Sequence, residues 1–360
     1  MHLALVGCGQ LSRMLALAGK PMGFKFSFVA DPAEDIRCVE GMGAVVRWQP
    51  GDSVAELYKA LGQPDRVTVE KEQVDVSLLT GLQEHCQVHP NHKAFAACQH
   101  RHREKQLLDK LDIPCASYSY GQPADTHLSL PVVVKSCREG YDGKNQWILK
   151  NQQDVDAFSD KAEEENYIVE QLIPFEKEVS QVSVRGANGE VRHYPLTENT
   201  HEKGILRQSI APAMAVSDEL QSRAQDYIKR IMDELDYVGV IAMECFLVKD
   251  QLLVNELAPR VHNSGHWTQS GSVTCQFENH MRAVSGLPLG STEIFSVTGM
   301  VNLIGTEKAP LDSLTAQSQL HWYDKEVRVG RKLGHINIVG EDHQTVLEQM
   351  RSLHGLSRLA

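Results

Sequence analysis

The chain lacks paired cysteines: Cys8, Cys38, Cys86, Cys98, Cys115, Cys137, Cys245 and Cys275 are scattered without a single CxxC. That spacing argues against a disulfide framework and for free thiols in a reducing compartment. Basic residues are also in short supply. Against 47 Asp and Glu, 36 Lys and Arg leave a net charge of −11, which excludes a chain-wide attraction to nucleic acid or an anionic membrane. A phosphate-bearing ligand must then be captured by a local basic pocket. There is no apolar run of membrane-spanning length, no basic leader ahead of the first strand, and no internal repeat, low-complexity tract or long flexible linker. A cytoplasmic location is the expectation. What is present, 42% hydrophobic and 23% charged residues over 360 positions, describes a soluble globular protein of two or three domains with ample core.

The most informative stretch comes late in the chain. Val238 to Val248 and the run from Leu252 to Ala258 read as two apolar strands joined by the polar turn Lys249-Asp250-Gln251, a hairpin signal. A three-residue turn centred on Asp250 sets Glu244 directly opposite Glu256, with Cβ atoms about 5 Å apart. Ala242, Phe246, Val254 and Ala258 become their same-face neighbours. Two like charges on an apolar face repel one another and resist desolvation, so a cation is the simplest resolution. Paired hard oxygens suit Mg²⁺, completed by water and phosphate oxygens. A solvated edge hairpin is the alternative, and the apolar context makes it costly. Arg260, His262, Asn263 and His266 follow at once, a dense set of anion-binding and proton-handling groups.

From the start, His2 to Val6 is a short buried strand, then Gly7-Cys8-Gly9-Gln10-Leu11-Ser12 leads into a helix with Leu11, Met14, Leu15, Ala18 and Met22 on one face. Strand, glycine turn and helix open a Rossmann-like unit whose backbone N–H groups can hold a phosphate. The motif is G-x-G-x-x-S, and Asp31 stands about where a ribose-binding acid would, so a nicotinamide dehydrogenase and a simple phosphate loop are equally served. Glu70 and Glu72 end a later strand, where ligands of parallel sheets bind; plain surface acidity fits them as well. His100 to Lys105 reads as a solvated basic helix running to Leu111, with Arg101 or Lys105 reaching a phosphate. The i, i+2 spacing of His100 and His102 argues against a shared metal. Pro131 to Gln146 is a Val-rich strand that delivers Lys135, then a polar loop with Gly140 and Gly143, then a strand from Trp147 to Leu149. The lysine needs an anionic partner such as an ATP phosphate, and the glycines let a loop close over it, although the pattern is not a Walker motif. Tyr167 to Pro174 fits either a backbone that reads an adenine edge or a plain edge strand. Glu178 to Leu196 is a hairpin around Gly186-Ala187-Asn188-Gly189, Thr197 to Arg207 a polar loop, and Asp218 to Leu235 an amphipathic helix with acids in its first turn. A second such helix spans Val273 to Val284. Five basic residues between Lys325 and His335 suggest a pocket for an anionic substrate, with a charged surface hairpin as the alternative.

Strand–glycine loop–helix, strand lysine with glycine loop, Glu-x-x-Ile and opposed glutamates on a hairpin occur in the order of the ATP-grasp superfamily, which this chain resembles. Gly9-Gln10-Leu11, Arg101 with Glu104-Lys105, Gly140 to Gly143, the block Asn255 to Thr268, Tyr323 to Lys325 and Gly330 to His335 are similar to the N5-carboxyaminoimidazole ribonucleotide synthetase family over nearly the whole chain. The resemblance implies an α/β and α+β architecture: a Rossmann-like domain over 1–100, a small ATP-grasp lid subdomain over 101–174, and a large subdomain with the metal hairpin and substrate segment over 175–360. It implies that Arg101, Lys135, Gly140, Tyr141, Asp142, Gly143, Lys144, Asn145, Gln146, Glu170, Gln171, Leu172, Ile173, Glu178, His201, Asn255 and Glu256 line ATP. Glu244 and Glu256 would bind Mg²⁺, or Mn²⁺ in its place. Gly9, Gln10, Leu11, Lys325, Arg331 and Lys332 would hold the ribonucleotide phosphate. Tyr141, Asp142, Arg260, His262 and Glu70 would surround the aminoimidazole and bicarbonate, with Asp142, Arg260, His262, Lys325 and Arg331 carrying the chemistry. A homodimer is implied too. Ser12 replaces a family glycine, His100 the aspartate before Arg101, and the lid is poorer in glycine than usual.

The implied reaction is ATP-dependent carboxylation of aminoimidazole ribonucleotide by bicarbonate in purine biosynthesis. Bicarbonate is a poor electrophile and would first be phosphorylated to carboxyphosphate. Magnesium and Lys135 would neutralise the transferring phosphoryl group, and a lid over 140–145 would exclude water. Arg260 would orient bicarbonate, and Asp142 or the released phosphate would take the amine proton. Within the superfamily the rival is another carboxylate–amine ligase or a formate-dependent transformylase. Outside it stand the dehydrogenase, which leaves the hairpin and Lys135 unexplained, and a nonenzymatic nucleotide-binding regulator, which needs no metal-binding acids.

Overall fold

The computed structural model describes residues 1–138, 145–159 and 167–356. Leu3, Ala4, Leu5 and Val6 are apolar without alternation, the pattern of a strand covered on both faces, and they form β1 (His2–Val6) at the centre of a parallel sheet. Its order is β3-β2-β1-β4-β5, with β2 Lys25–Ala30, β3 Ala44–Arg47, β4 Arg66–Val69 and β5 Gln87–Val88. Helices α1 (Gln10–Gly19), α2 (Val54–Ala60), α3 (Val76–Gln83) and α4 (His92–Cys98) belong to this layer. The crossover places the C-terminal ends of β1 and β4 side by side, the usual ligand edge of such a sheet. One face of the sheet shares a core with the rest of the chain: Leu3, Leu5 and Met14 pack in one cluster with Val240, Phe277 and Met281.

Helix α5 (Arg101–Lys110) leads to a four-stranded antiparallel sheet of order β6-β9-β7-β8, made of β6 Tyr118–Gly121, β7 Val132–Ser136, β8 Gln146–Leu149 and β9 Tyr167–Gln171. Side chains alternate across a strand. Val132 and Val134 therefore enter the small core with Val155 of α6 (Gln152–Ser159), while Val133 and Lys135 face the other way. β9 is not an edge strand; it lies between β6 and β7, with Glu170 paired to both Tyr118 and Val133.

A nine-stranded sheet of order β15-β14-β10-β12-β13-β16-β18-β17, with β11 added on β10, forms the remainder. Its strands are β10 Lys177–Arg185, β11 Val191–His193, β12 Thr197–Glu202, β13 Ile205–Ala211, β14 Gly239–Val248, β15 Gln251–Ala258, β16 Val297–Ile304, β17 Ser318–Trp322 and β18 Lys332–Gly340. The segment Thr197 to Arg207, expected as a polar loop, is instead most of the β12–β13 hairpin, turned at Lys203-Gly204. Its alternation is masked because polar Asn199 and Ser209 face inward and satisfy each other, Ser209 Oγ donating to Asn199 Oδ1 at 2.7 Å. Helices α7 (Asp218–Glu234), α8 (Thr268–Gly271), α9 (Gln276–Ser285) and α10 (His343–Ser352) cover the sheet. Ser217 caps α7 by accepting from Leu220 N–H, and Glu219 with Asp218 complements its N-terminal dipole. No helix of the described residues is long and apolar enough to cross a membrane.

Candidate active site

The small and large sheets enclose a cleft of about 360 Å³. Its floor is the β14–β15 hairpin. The turn has two residues, Lys249 and Asp250, both with positive φ as a type I′ turn requires, rather than three. A two-residue turn alone would place Glu244 opposite Asn255. A β-bulge between Glu244 and Cys245 restores the opposition, pairing Cys245 with Val254 and Glu244 with Glu256. Asn255 is the extra residue, so Asn255 and Glu256, consecutive in sequence, both line the cleft. Val254 consequently leaves the glutamate face and joins Met243, Cys245 and Leu257 in the core behind it.

Glu244 and Glu256 behave differently. Burial and the neighbouring Glu256 push the Glu244 carboxyl up to about 7. Its Oε1 is buried and receives no hydrogen bond from a described residue. His262 Nδ1 stands 3.7 Å away, but burial, Arg260 and Lys332 hold that imidazole well below its usual pKa, so the contact is not an ion pair. For Glu256 burial acts upward, yet Arg101, at 3.1 Å, and Lys135 together outweigh it and hold the carboxyl low. A buried, unsatisfied oxygen beside a second carboxylate fits a hard divalent cation. Among the described residues no group of three or more His, Cys, Asp and Glu forms a metal cage, so the rest of the shell would come from water and ligand oxygens.

Facing this pair is a cationic wall. Glu170 is buried and receives two ammonium groups, Lys105 at 2.8 Å and Lys135 in a short contact. Burial would raise its pKa, but the two lysines together hold it far below the carboxylate range. The trio carries a net charge of +1, and Lys135 also donates to Asn255 Oδ1 at 3.1 Å. Burial, with Arg101 and Lys105 nearby, lowers Lys135 in spite of Glu170. Beyond the carboxylates His201 shares a hydrogen bond with Glu178 across 2.8 Å; burial would lower the imidazole, and Glu178 more than reverses it. The remaining wall is apolar. Ala116, Val133, Ile148 and Leu206 line it with Phe175 and Phe246, whose rings stack at 4.7 Å and 11°. Next to them run Gln171, Leu172 and Ile173 at the end of β9.

A second cluster lies at the ligand edge of the parallel sheet. Glu70, just past β4, accepts from Gly9 N–H at 2.6 Å and Ser12 N–H at 2.9 Å, and Glu34 accepts from Cys8 N–H at 2.7 Å. Two carboxylates thus occupy the N–H groups that a pyrophosphate would need. A Cβ at Gly7 would come within 2.5 Å of Glu70 Cγ, and one at Gly9 within 2.6 Å of Glu70 Oε1. The glycines make room for Glu70, and Asp31 is paired with Lys71 at 2.5 Å, so the dinucleotide reading loses its support. Ser12 is accommodated at the third position of the loop motif by donating its Oγ–H to Gly7 O at 2.8 Å. Lys325 contacts Gln10 Oε1, Arg13 pairs with Asp324 at 2.8 Å, and Arg331 pairs with Asp35 at 3.2 Å. Burial, Arg331 and Lys332 lower Lys325. Glu72, two residues past Glu70, takes Arg260 in a short ion pair and so ties this cluster to the exit of the hairpin.

Of the residues expected around ATP, Arg101, Lys135, Gln146, Glu170, Gln171, Leu172, Ile173, Glu178, His201, Asn255 and Glu256 all line the cleft. Asn145 precedes β8, its carbonyl accepting from Ser136 N–H at 3.0 Å. Gly140, Tyr141, Asp142, Gly143 and Lys144 lie outside the described residues. Gln10, Glu70 and Lys325 gather at the second cluster, with Arg331 beside it; the Leu11 side chain is buried in the apolar core, and Lys332 lines the cleft with Glu244 and His262. Helix α5 is not the solvated basic helix its composition suggests. Lys105 is 1% exposed and Glu104 3% exposed, so Lys105 reaches a carboxylate and not a ligand phosphate. Phe175, in the segment between β9 and β10, is a cleft residue without a sequence signal, since its stacking on Phe246 is a contact between distant elements.

Three family models match the chain in succession: the ribonucleotide synthetase preATP-grasp domain over residues 1–99, the ATP-grasp domain over 106–277, and the phosphoribosylaminoimidazole carboxylase C-terminal domain over 298–349. The N5-carboxyaminoimidazole ribonucleotide synthase of Pseudomonas aeruginosa is 40% identical over 363 residues, covering 99% of each chain. The crystal structure of the synthetase from Thermus thermophilus has a TM-score of 0.92 at 40% identity and covers 99% of this chain and 98% of that one. The Aspergillus clavatus synthase, solved in complex with ADP and 5-aminoimidazole ribonucleotide, has a TM-score of 0.87 at 25% identity, covering 99% of this chain and 98% of its own. On full-length identity and on the match of all three regions, the chain belongs to the N5-carboxyaminoimidazole ribonucleotide synthase family of ATP-grasp ligases.

Proposed function

We propose that the chain carboxylates 5-aminoimidazole ribonucleotide on its exocyclic amine, using ATP and bicarbonate and releasing ADP and phosphate. The observation that carries this is the opposed Glu244–Glu256 pair, one of whose buried carboxylate oxygens receives no hydrogen bond from a described residue, in the same cleft as Lys135 and Arg101. Adenine fits between the Phe175–Phe246 stack and Val133, with its edge toward the backbone at Gln171 to Ile173. The triphosphate then runs past Lys135 and Arg101 toward the glutamates. Magnesium bound there would offset the charge of the transferring phosphoryl group. Arg101, which holds Glu256 at 3.1 Å, lines the same cleft, where its charge would face the phosphate oxygens.

The balance of the reaction is simple. A bicarbonate oxygen attacks the γ-phosphorus and ADP leaves, giving carboxyphosphate; the amine nitrogen then attacks the carboxyl carbon, phosphate leaves, and the amine proton passes to a base. Asp142 or the departing phosphate would serve as that base. Arg260 and His262, both at the exit of β15, would orient the carboxyl oxygens. Ser264 N–H donates to His262 Nδ1 at 3.3 Å, which leaves the neutral ring with its proton on Nε2 and makes it a hydrogen-bond donor rather than a base. Gln10, Lys325 and Arg331 would receive the ribonucleotide phosphate, and Glu70, fixed by two backbone N–H groups, would face the imidazole. A homodimer and a cytoplasmic location complete the proposal, the first read by light scattering on the purified chain.

The test is ADP release with Mg-ATP and bicarbonate, with and without the ribonucleotide. Release that requires the ribonucleotide and yields an acid-labile carboxylated product supports the assignment. Turnover with formate in place of bicarbonate would move the chain to the transformylases, and no release under either condition would overturn the ligase reading.

A further inference from the structure

The bulge that brings Glu256 opposite Glu244 does not stand alone. β15 is the outer strand of the large sheet, and its outer edge meets helix α5 and the segment after it, where Pro114 O accepts from Val254 N–H at 2.8 Å. In a regular strand successive carbonyls point to opposite edges. Here the carbonyls of Val254 and Asn255, neighbours in sequence, both accept from one group, Lys105 Nζ, at 3.3 and 3.0 Å. Two residues further on, Leu257 N–H donates to Glu104 Oε2 at 2.9 Å. Arg101, one turn earlier on α5, holds the Glu256 carboxylate itself at 3.1 Å. Residues 101, 104 and 105 share one helical face, so a single face of α5 grips the bulge from Val254 to Leu257. Without these partners the displaced backbone groups would be buried and unpaired, which favours the regular register. In that register Asn255, not Glu256, opposes Glu244.

We infer that Glu104 and Lys105 are positioning residues for the metal pair: they select the bulged register of β15 and thereby place both Asn255 and Glu256 on the cleft side. Neither side chain touches the nucleotide, being buried behind the strand. The inference rests on the reading of Glu244 and Glu256 as metal ligands, and it adds that their geometry is set from α5. Lys105 has a second duty, since the same ammonium neutralises Glu170 beside Lys135. Glu104 is the cleaner probe.

The experiment measures ATP affinity by calorimetry with and without Mg²⁺, on the full chain and on variants. In the parent, Mg²⁺ should tighten ATP binding, and Glu244→Gln should abolish that gain. If the parent shows no gain, the metal reading itself fails. Glu104→Met should shrink the Mg²⁺-dependent gain about 10-fold or more, the size expected when support behind a metal ligand is removed, while metal-free ATP affinity stays within about threefold. Glu104→Gln, which keeps an acceptor for Leu257 N–H, should restore the parent value. A folded Glu104→Met chain that keeps the full Mg²⁺ gain would overturn the inference. If Glu104→Met does not fold, Glu104→Ser, a polar side chain too short to reach Leu257 N–H, carries the same two outcomes.

Discussion

At the scale of single residues, two side chains decide what the site can do at a given pH and with a given ligand. Glu244 is raised to about 7 by burial and by Glu256, so near neutrality it is only partly ionised, and a divalent cation must compete with a proton for it. The Mg²⁺ concentration for half-maximal activity should therefore be nearly constant above pH 8 and rise below 7, approaching about tenfold per pH unit for a one-proton competition. Mg²⁺ titrations at pH 6.0, 7.0 and 8.5 read this directly, and a flat response would show that Glu244 is not a ligand. Gly9 governs the other half of the site. A methyl group there meets Glu70 Oε1 at 2.6 Å, so Gly9→Ala must push the carboxylate off the Gly9 and Ser12 N–H groups. The loss of charge-assisted bonds of about 1.5–3 kcal/mol should raise KM for the ribonucleotide by about tenfold or more. KM for ATP should be unchanged, because Glu70 lies outside the cleft; equal effects on both would refute the division into two sites.

At the scale of elements, the hairpin shows how far the sequence could be read. The opposition of Glu244 and Glu256 followed from apolar strands flanking a polar turn, and it is present, but for a different reason. The two-residue turn at Lys249-Asp250 sets one register and the bulge at Asn255 corrects it. Counting along a chain cannot reveal a bulge, since its stabilising partners, Glu104 and Lys105, lie some 150 positions away on another element. The same limit explains α5. Its basic composition reads as solvated, yet one face is buried because Glu170 and β15 supply the charges and carbonyls it needs. Lys135 was legible because alternation along a strand is local; the pairing of Thr197 to Arg207 was hidden by polar side chains that satisfy one another indoors. Helix α5 also carries a correctable weakness. His100 is its N-cap residue in an extended conformation and makes no side-chain capping bond, whereas Ser53, Asp75, Asn91 and Ser217 all do so at their helices. His100→Asp should add a capping acceptor beside Arg103 and Arg138, stabilising the chain by about 0.5–2 kcal/mol as read from the urea midpoint. A lower midpoint would show that the His100 ring packs in a way the cap cannot replace.

At the scale of the whole molecule, the notable feature is how many histidines are kept neutral. Burial is the leading cause in each case: it lowers His89, His193 and His321 to about 4 and His280 to about 3, and it takes His262, His266 and His335 well below the usual value. His280 shows the structural reason. Its Nδ1 accepts from Val240 N–H at 3.0 Å, so its Nε2–H faces Thr68 Oγ1 at 2.7 Å, and this neutral ring pins the parallel sheet to the large one. For such groups the folded pKa lies below the unfolded value near 6.5, so the unfolded chain binds the extra protons and stability is lost as pH falls through that value. Glu70, Glu104 and Glu244 act the other way: burial raises each, the latter two to about 8 and 7, and their protonation on acidification relieves the folded state. The lowered histidines outnumber the raised carboxylates, so just below pH 6 the unfolded chain binds more protons and stability falls as pH falls. Because the unfolded histidines take up their protons near pH 6.5, the loss of stability should begin there, above the range in which surface carboxylates titrate. Thermal melts from pH 8 to 4.5 should show Tm level above 7 and falling steeply below 6. A Tm that stays level down to pH 5 would mean that the histidine network admits protons without opening, and that the two sheets are held together by packing alone.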